Sequence, residues 1–356
     1  MKKYILGLLV MLMTLPMVGM ESSWQTHFAY NSVEVIANCP QEIYALANGA
    51  IFSVNKTTEA MTLYNNKSGL HGTSVCFLMY DEEREQLLIM YSDGKMDIQY
   101  NGTMHYISDL YNKRMTSSKK CNNITIHDKF AYLSMDFGII VFDLEKHEFK
   151  ETYYIGEEAS EVKVTDVMFY GDSIYARTKS KNYSACIYDN VVDYHFWSTC
   201  PVLPCPFDTK KGKEYTMLDG DLWKVAGAQG VYRKFVTGEE AYYLPDGPYV
   251  NTPYSMTFDR GRLYVVPGGR WANQNGTEGH VMIYENKKWL NITNAQIKGQ
   301  IGKRALDFMN VAVDPDDSGH YFVTSYGTGV YEFRDDVLVK RYTPSNSILG
   351  SAAPNS

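Results

Sequence analysis

The chain has 356 residues, a net charge of −7 and only 6 cysteines. The negative balance argues against nucleic acid or an anionic membrane as a bulk partner, while leaving room for a local basic patch. Six cysteines are sparse for a disulfide scaffold. The 29 Tyr and 15 Phe, alternating with polar residues over short runs punctuated by Gly, Asn and Asp, are the composition of an all-β protein.

Met1 to Met20 has the form of a secretory signal. Lys2 and Lys3 precede the apolar run YILGLLVMLMTLPMVGM, and polar ESSW follows at residues 21–24. The run falls short of the roughly 20 residues a membrane-spanning helix needs. No Cys stands at the junction to take a lipid. Residues 1–20 are therefore expected to be a signal peptide of an exported chain, and 21–356 its propeller repeats. The next segment, WQTHFAY from Trp24 to Tyr30, resembles an outer strand, for which a ring of seven units has no vacancy.

From there one phrase recurs: an apolar strand, a polar break with Gly, a second apolar strand. It reads IYALANGAIFSV at 43–54, LLIMYSDGKMDI at 87–98, AYLSMDFGIIVF at 131–142 and IYARTKSKNYSACIY at 174–188. LWKVAGAQGVYRKF at 222–235, LYVVPGGRWANQNGTEGHVMIY at 263–284 and YFVTSYGTGVYEF at 321–333 complete the set. The anchors Gly49, Gly94, Gly138, Asn182, Gly230, Gly279 and Gly329 follow one another at 44 to 50 residues. A strand such as SVCFLMYDEERE precedes each pair, and a more polar one such as TMHYISDL, EFKETYYI, KWLNIT or VLVKRYTP follows. Four strands per unit at this period predict an all-β fold, a β-propeller of about seven repeats, read as the front part of a two-propeller protein. Gly at the anchors suits positive φ or close backbone approach, and Asn182 is the residue that best tolerates the same conformation.

Departures from the repeat are where a site is sought. The largest is GGRWANQNGTEG, inserted between two central strands. Arg270 offers a planar fork to carboxylate or phosphate, Trp271 a stacking face to a sugar ring, and Asn273 an amide. Tyr326, at the matching place in the next unit, is expected on the same face. As a phosphate loop the insertion is weak, since no helix follows it. Asp136-Phe137-Gly138 spells a kinase triplet but falls on the repeat anchor, so a structural turn is expected. Asp314 to Gly319 lacks calcium-loop spacing and occupies a hairpin-turn position. Cys200 and Cys205, in CPVLPC, are the best disulfide candidates, and neither metal nor cofactor is implied. Eight scattered histidines and no nucleophile motif leave an enzyme unsupported, although a propeller can assemble a catalytic set from several blades.

Taken in order, WQTHFAY with NSVEVIA, LYNNKSGLHGTSV with LLIMYSDGKMDI, AYLSMDFGIIVFDL, LYVVPGGRW, VMIYENKKWLNIT and VAVDPDD with YFVTSYGTGVYEF resemble the N-terminal region of the PorZ family. That family belongs to the type IX secretion system of Bacteroidota. The resemblance implies an exported protein at the outer-membrane cell surface, acting with a PorU-like sortase and other type IX proteins and binding anionic lipopolysaccharide or another glycan. It also implies two seven-bladed propellers and a C-terminal β-sandwich sorting domain. The alternative is the oligosaccharide-sensing periplasmic propeller of a hybrid two-component system, which shares the repeat.

Overall fold

The computed structural model describes residues 25–208, 210–269 and 275–350. They form seven four-stranded antiparallel sheets in chain order: sheet 1 (33–64), sheet 2 (75–107), sheet 3 (121–153), sheet 4 (164–199), sheet 5 (214–243), sheet 6 (255–292) and sheet 7 (308–342). Each runs first strand, two central strands, outer strand, as the repeat predicts. No helix among the described residues is long and apolar enough to cross a membrane.

Sheet 3 shows why the central strands are so apolar. All six residues of Gly138–Asp143 are buried. Ile140 and Phe142 enter a core shared with sheets 1 and 2, while Ile139 and Val141 face a second core shared with sheet 4. A strand covered on both faces loses the polar–apolar alternation of a half-exposed one, and each large apolar side chain so buried is worth about 1.5–3 kcal/mol. The turn of this hairpin is the kinase-like triplet. Met135 pairs with Gly138, Phe137 is fully buried, and Asp136 accepts from Lys163 Nζ at 2.7 Å and Asn122 Nδ2 at 3.1 Å. Gly138 has φ +151°, and a Cβ there would run into the carbonyl oxygen of Tyr153 on the outer strand. Its glycine thus answers to backbone approach.

Two anchors differ from expectation. Asn182 opens the strand Asn182–Cys186 and is not among the positive-φ residues. Gly279 also lacks positive φ, and a Cβ there would press on Ala305 and Phe308. In sheet 6 a long connection between Val266 and Val281 replaces the tight turn, whereas Asn182 is already a strand residue paired with Arg177, so neither position needs the left-handed conformation.

Shared cores give the order of neighbours. One joins sheets 1, 2 and 3, a second sheets 3 and 4, and a third sheet 5 to the other face of sheet 1, through Trp223 and Tyr243 against Phe52 and Ile43. Val33 N–H donates to Gly227 O at 3.1 Å across that junction. Sheets 6 and 7 share a separate core around Phe308, Tyr321 and Tyr331. The sheets are thus packed 5–1–2–3–4 and 6–7. The connection from sheet 4 to sheet 5 turns inward, with Gly212 O accepting from Ile36 N–H at 2.7 Å and Lys211 Nζ donating to Thr125 Oγ1 at 2.9 Å.

The segment read as an outer strand is a strap. Trp24 lies outside the described residues, and 25–30 form no strand. Ala29 N–H donates to Asn251 Oδ1 at 2.7 Å, Trp289 Nε1–H donates to His27 Nδ1 at 3.1 Å, and Tyr30 joins the core of sheets 1 and 5. The strap therefore ties sheet 6 to the first group. The segment expected to be a signal peptide, 1–20, lies outside the described residues.

Candidate functional site

Sheet 7 ends in a cleft of about 490 Å³ at its glycine turn, lined by Lys303, Ser325, Gly327, Thr328, Arg341 and Ser345 among others. Local sequence explains its walls. The helix Asn294–Ile301 starts on a Thr293 capping box and stops at Gly302 in the left-handed conformation, which delivers Lys303 to the rim. The turn 325–329 holds two positive-φ glycines, Gly327 and Gly329. Hydroxyls stitch it down: Ser325 Oγ donates to Leu306 O at 2.6 Å and Tyr331 O–H to Thr328 Oγ1 at 3.0 Å, and Ser325 and Thr328 bond to each other.

Arg341, on the outer strand Val337–Tyr342, is fixed by one end. Its Nε donates to Thr328 O at 2.7 Å, and the guanidinium lies 5.7 Å from the Tyr331 ring. Burial pushes the Tyr331 phenol pKa up, with the Thr328 hydrogen bond and the Arg341 charge opposing. The two Nη nitrogens of Arg341 have no protein partner among the described residues, and neither has the Lys303 ammonium. No carboxylate lines the cleft. Two cations beside hydroxyl side chains and backbone make a receptor for an anion with hydroxyl groups.

Tyr326 is 51% exposed at the same turn. Its backbone N–H donates to Asp307 O at 2.9 Å. Asp307 in turn holds the far limb of the insertion, accepting from Gly276 N–H at 3.1 Å and Thr277 N–H at 2.8 Å, and Glu278 bridges to Leu306. Leu306 is the residue whose carbonyl fixes Ser325. Tyr326, the insertion's C-terminal limb and the cleft are therefore one neighbourhood. Arg270, Trp271 and Asn273 lie outside the described residues. Lys303 and Arg341 escaped the sequence reading because neither sits on a repeat anchor or in the insertion. The dibasic pair Lys303-Arg304 after a capped helix was the available signal.

Other residues singled out from sequence serve the scaffold. Cys200 Sγ reaches Val202 O at 3.0 Å and Cys205 Sγ faces Met168 Sδ at 4.0 Å, so the two are separate free thiols. Asp314 accepts from Asp316 N–H and pairs with His320 Nδ1 at 2.9 Å, as a hairpin turn does. His71 Nδ1 is 2.8 Å from buried Asp97, which also accepts from the His71 N–H and from Tyr91 O–H at 2.5 Å. That network pins the crossover between sheets 1 and 2. No nucleophile is hydrogen-bonded to the His71 ring among the described residues.

The fold and cleft define a class by architecture alone: an all-β propeller assembly of four-stranded blades with a polar cleft at a blade end. Residues 43–198 match the family model described as the TSS9 PorZ N-terminal β-propeller domain. The solved structure of PorZ from Porphyromonas gingivalis, described as an essential bacterial surface component of the type IX secretion system, is similar at a TM-score of 0.75 with 22% identity. The alignment covers 93% of this chain and 54% of that one, so the chain spans about half of that protein. Two extracellular domains of Bacteroides thetaiotaomicron proteins are more distant. One, of a hybrid two component system, has a TM-score of 0.37 at 13% identity, covering 88% of this chain and 46% of its own. The second, of the same kind, has a TM-score of 0.39 at 11% identity, covering 93% and 50%. No curated protein matches the sequence.

Proposed function

We propose that the chain is a non-enzymatic, exported component of a type IX secretion system, placed at the outer-membrane cell surface. There it acts beside a PorU-like sortase and binds anionic lipopolysaccharide. One observation carries the ligand part: Lys303 and Arg341 stand in a cleft without a lining carboxylate, beside exposed Tyr326 and the insertion. The chain as a whole carries −7, so long-range attraction to an anionic glycan is lacking and recognition rests on these short-range contacts. Arg341 supplies a fork for a carboxylate or phosphate, the hydroxyl of Ser345 takes a sugar hydroxyl, and Tyr326 supplies a ring face.

Titration of the protein with purified anionic lipopolysaccharide at low and high salt tests this reading. Saturable binding that weakens as salt rises is expected. Absence of binding at both ionic strengths would discard the ligand assignment, and failure to co-isolate with a PorU-like sortase from cell envelopes would discard the partnership.

A further inference from the structure

A second cleft, of about 590 Å³, opens between sheets 1 and 2 at the end opposite their glycine turns. Its walls are Tyr44, Tyr64, Tyr80, Glu42, Glu85 and Gln99, and no Lys, Arg or His lines it. Tyr44 and Tyr64 have ring centroids 5.3 Å apart, with hydroxyls 3.1 Å from each other. Tyr64 O–H lies 3.3 Å from Glu42 Oε2. Glu85 is an exposed residue with φ +51°, a conformation that a non-glycine residue adopts at some cost. The nearby cation Lys56 is engaged behind the turn, donating to Asn38 Oδ1 at 2.7 Å, to Pro40 O at 3.2 Å and to Cys39 O.

The cleft therefore has a negative field bounded by aromatic rings. The phenols register it: Tyr80 is pushed up to about 12 by burial first, then by Cys39, Glu85, Glu82 and Asp81. Tyr44 is also raised, by burial, by its bond to Tyr64 and by Glu42. Carboxylates repel the anionic ligand suited to sheet 7, and they attract an ammonium, which tyrosine faces also attract through their quadrupole. We infer that the cleft between sheets 1 and 2 binds an organic cation carrying a primary ammonium group. The group seats between Glu42 and Glu85, with its stem against Tyr64 and Tyr80. A lysine side chain and an amino sugar present the same chemistry.

The test titrates the full chain with Nα-acetyl-lysine methylamide, methyl glucosaminide and methyl N-acetylglucosaminide, following amide chemical shifts. At least one amine is expected to bind and the acetylated sugar, which lacks the charge, is not. Which amine binds separates a polypeptide source from a glycan source. Glu42→Gln and Glu85→Gln are each expected to weaken binding about fivefold, the scale of one partly exposed charge contact. Glu85 is exposed, so Glu85→Gln keeps the test valid if Glu42→Gln disturbs folding. Equal binding of the amino and acetylated sugars with no effect of either substitution would make this a neutral-sugar site and overturn the inference. Failure of both amines to bind would overturn it as well.

Discussion

The clefts at sheet 7 and between sheets 1 and 2 are built on the same repeat and have opposite chemistry. At sheet 7 the glycine-turn end carries Lys303, Arg341 and four hydroxyl residues, with no acid. Between sheets 1 and 2 the other end carries Glu42, Glu85 and three tyrosines, with no base. The strands beneath are interchangeable in kind, apolar and covered on both faces. Blade ends are free of the packing constraint, so the loops there decide what is recognised. A propeller with a modest net charge can in this way hold one anion-selective and one cation-selective pocket.

The comparison assumes that each pocket rests on its own core, and the largest effect tests that. Trp223, 1% exposed, fills the junction of sheets 5 and 1. Trp223→Ala is expected to cost about 3–5 kcal/mol of stability, read by urea denaturation, and to impair amine binding more than lipopolysaccharide binding. Next, Arg341→Ala is expected to weaken anionic lipopolysaccharide by about 1.5–3 kcal/mol, measured by calorimetry, and to leave the amine probes untouched. Gly329→Ala follows. At φ +105° an added Cβ meets the Tyr342 carbonyl, and about 1–3 kcal/mol of destabilisation is expected from thermal melts, confined to sheet 7 and its cleft.

The smallest effect is a pH dependence in the first group of sheets. Burial lowers the Lys211 pKa to about 8, opposed by Asp166 and Asp208. The unfolded chain keeps this amine near its ordinary value of about 10.4. Between those values the unfolded state binds more protons, so Lys211 makes stability rise with pH from about 8 to about 10. The full shift corresponds to about 3 kcal/mol, and about 1–2 kcal/mol is expected once solvent screening at this half-buried amine is allowed for. Denaturation of wild type and Lys211→Met across that window checks it: the rise should be smaller in the variant.

How much of this was legible follows from where constraint lies. The period of the anchors, with Gly138 and Gly329 as turn residues, foretold seven four-stranded sheets, because each hairpin needs the same backbone. Asn182 and Gly279 misled, since Asn182 is already a paired strand residue and Gly279 follows a long insertion. The packing of sheet 5 on sheet 1 was not legible, because neighbour choice depends on which apolar faces meet, and periodicity is blind to that. The place of Tyr326 beside the insertion's C-terminal limb was readable, because the two occupy matching turns of neighbouring units. Lys303 and Arg341 were not, since one follows a helix cap and the other ends an outer strand, and only the fold brings them together. The three insertion residues, Arg270, Trp271 and Asn273, lie outside the described residues.

One crossed measurement is decisive: anionic lipopolysaccharide and the binding amine titrated into Lys303→Ala/Arg341→Ala and, in parallel, Glu42→Gln/Glu85→Gln. The first variant is expected to lose lipopolysaccharide and keep the amine, and the second to do the reverse. Loss of both ligands in either correctly folded variant, or lipopolysaccharide binding undiminished in the first, would contradict that expectation.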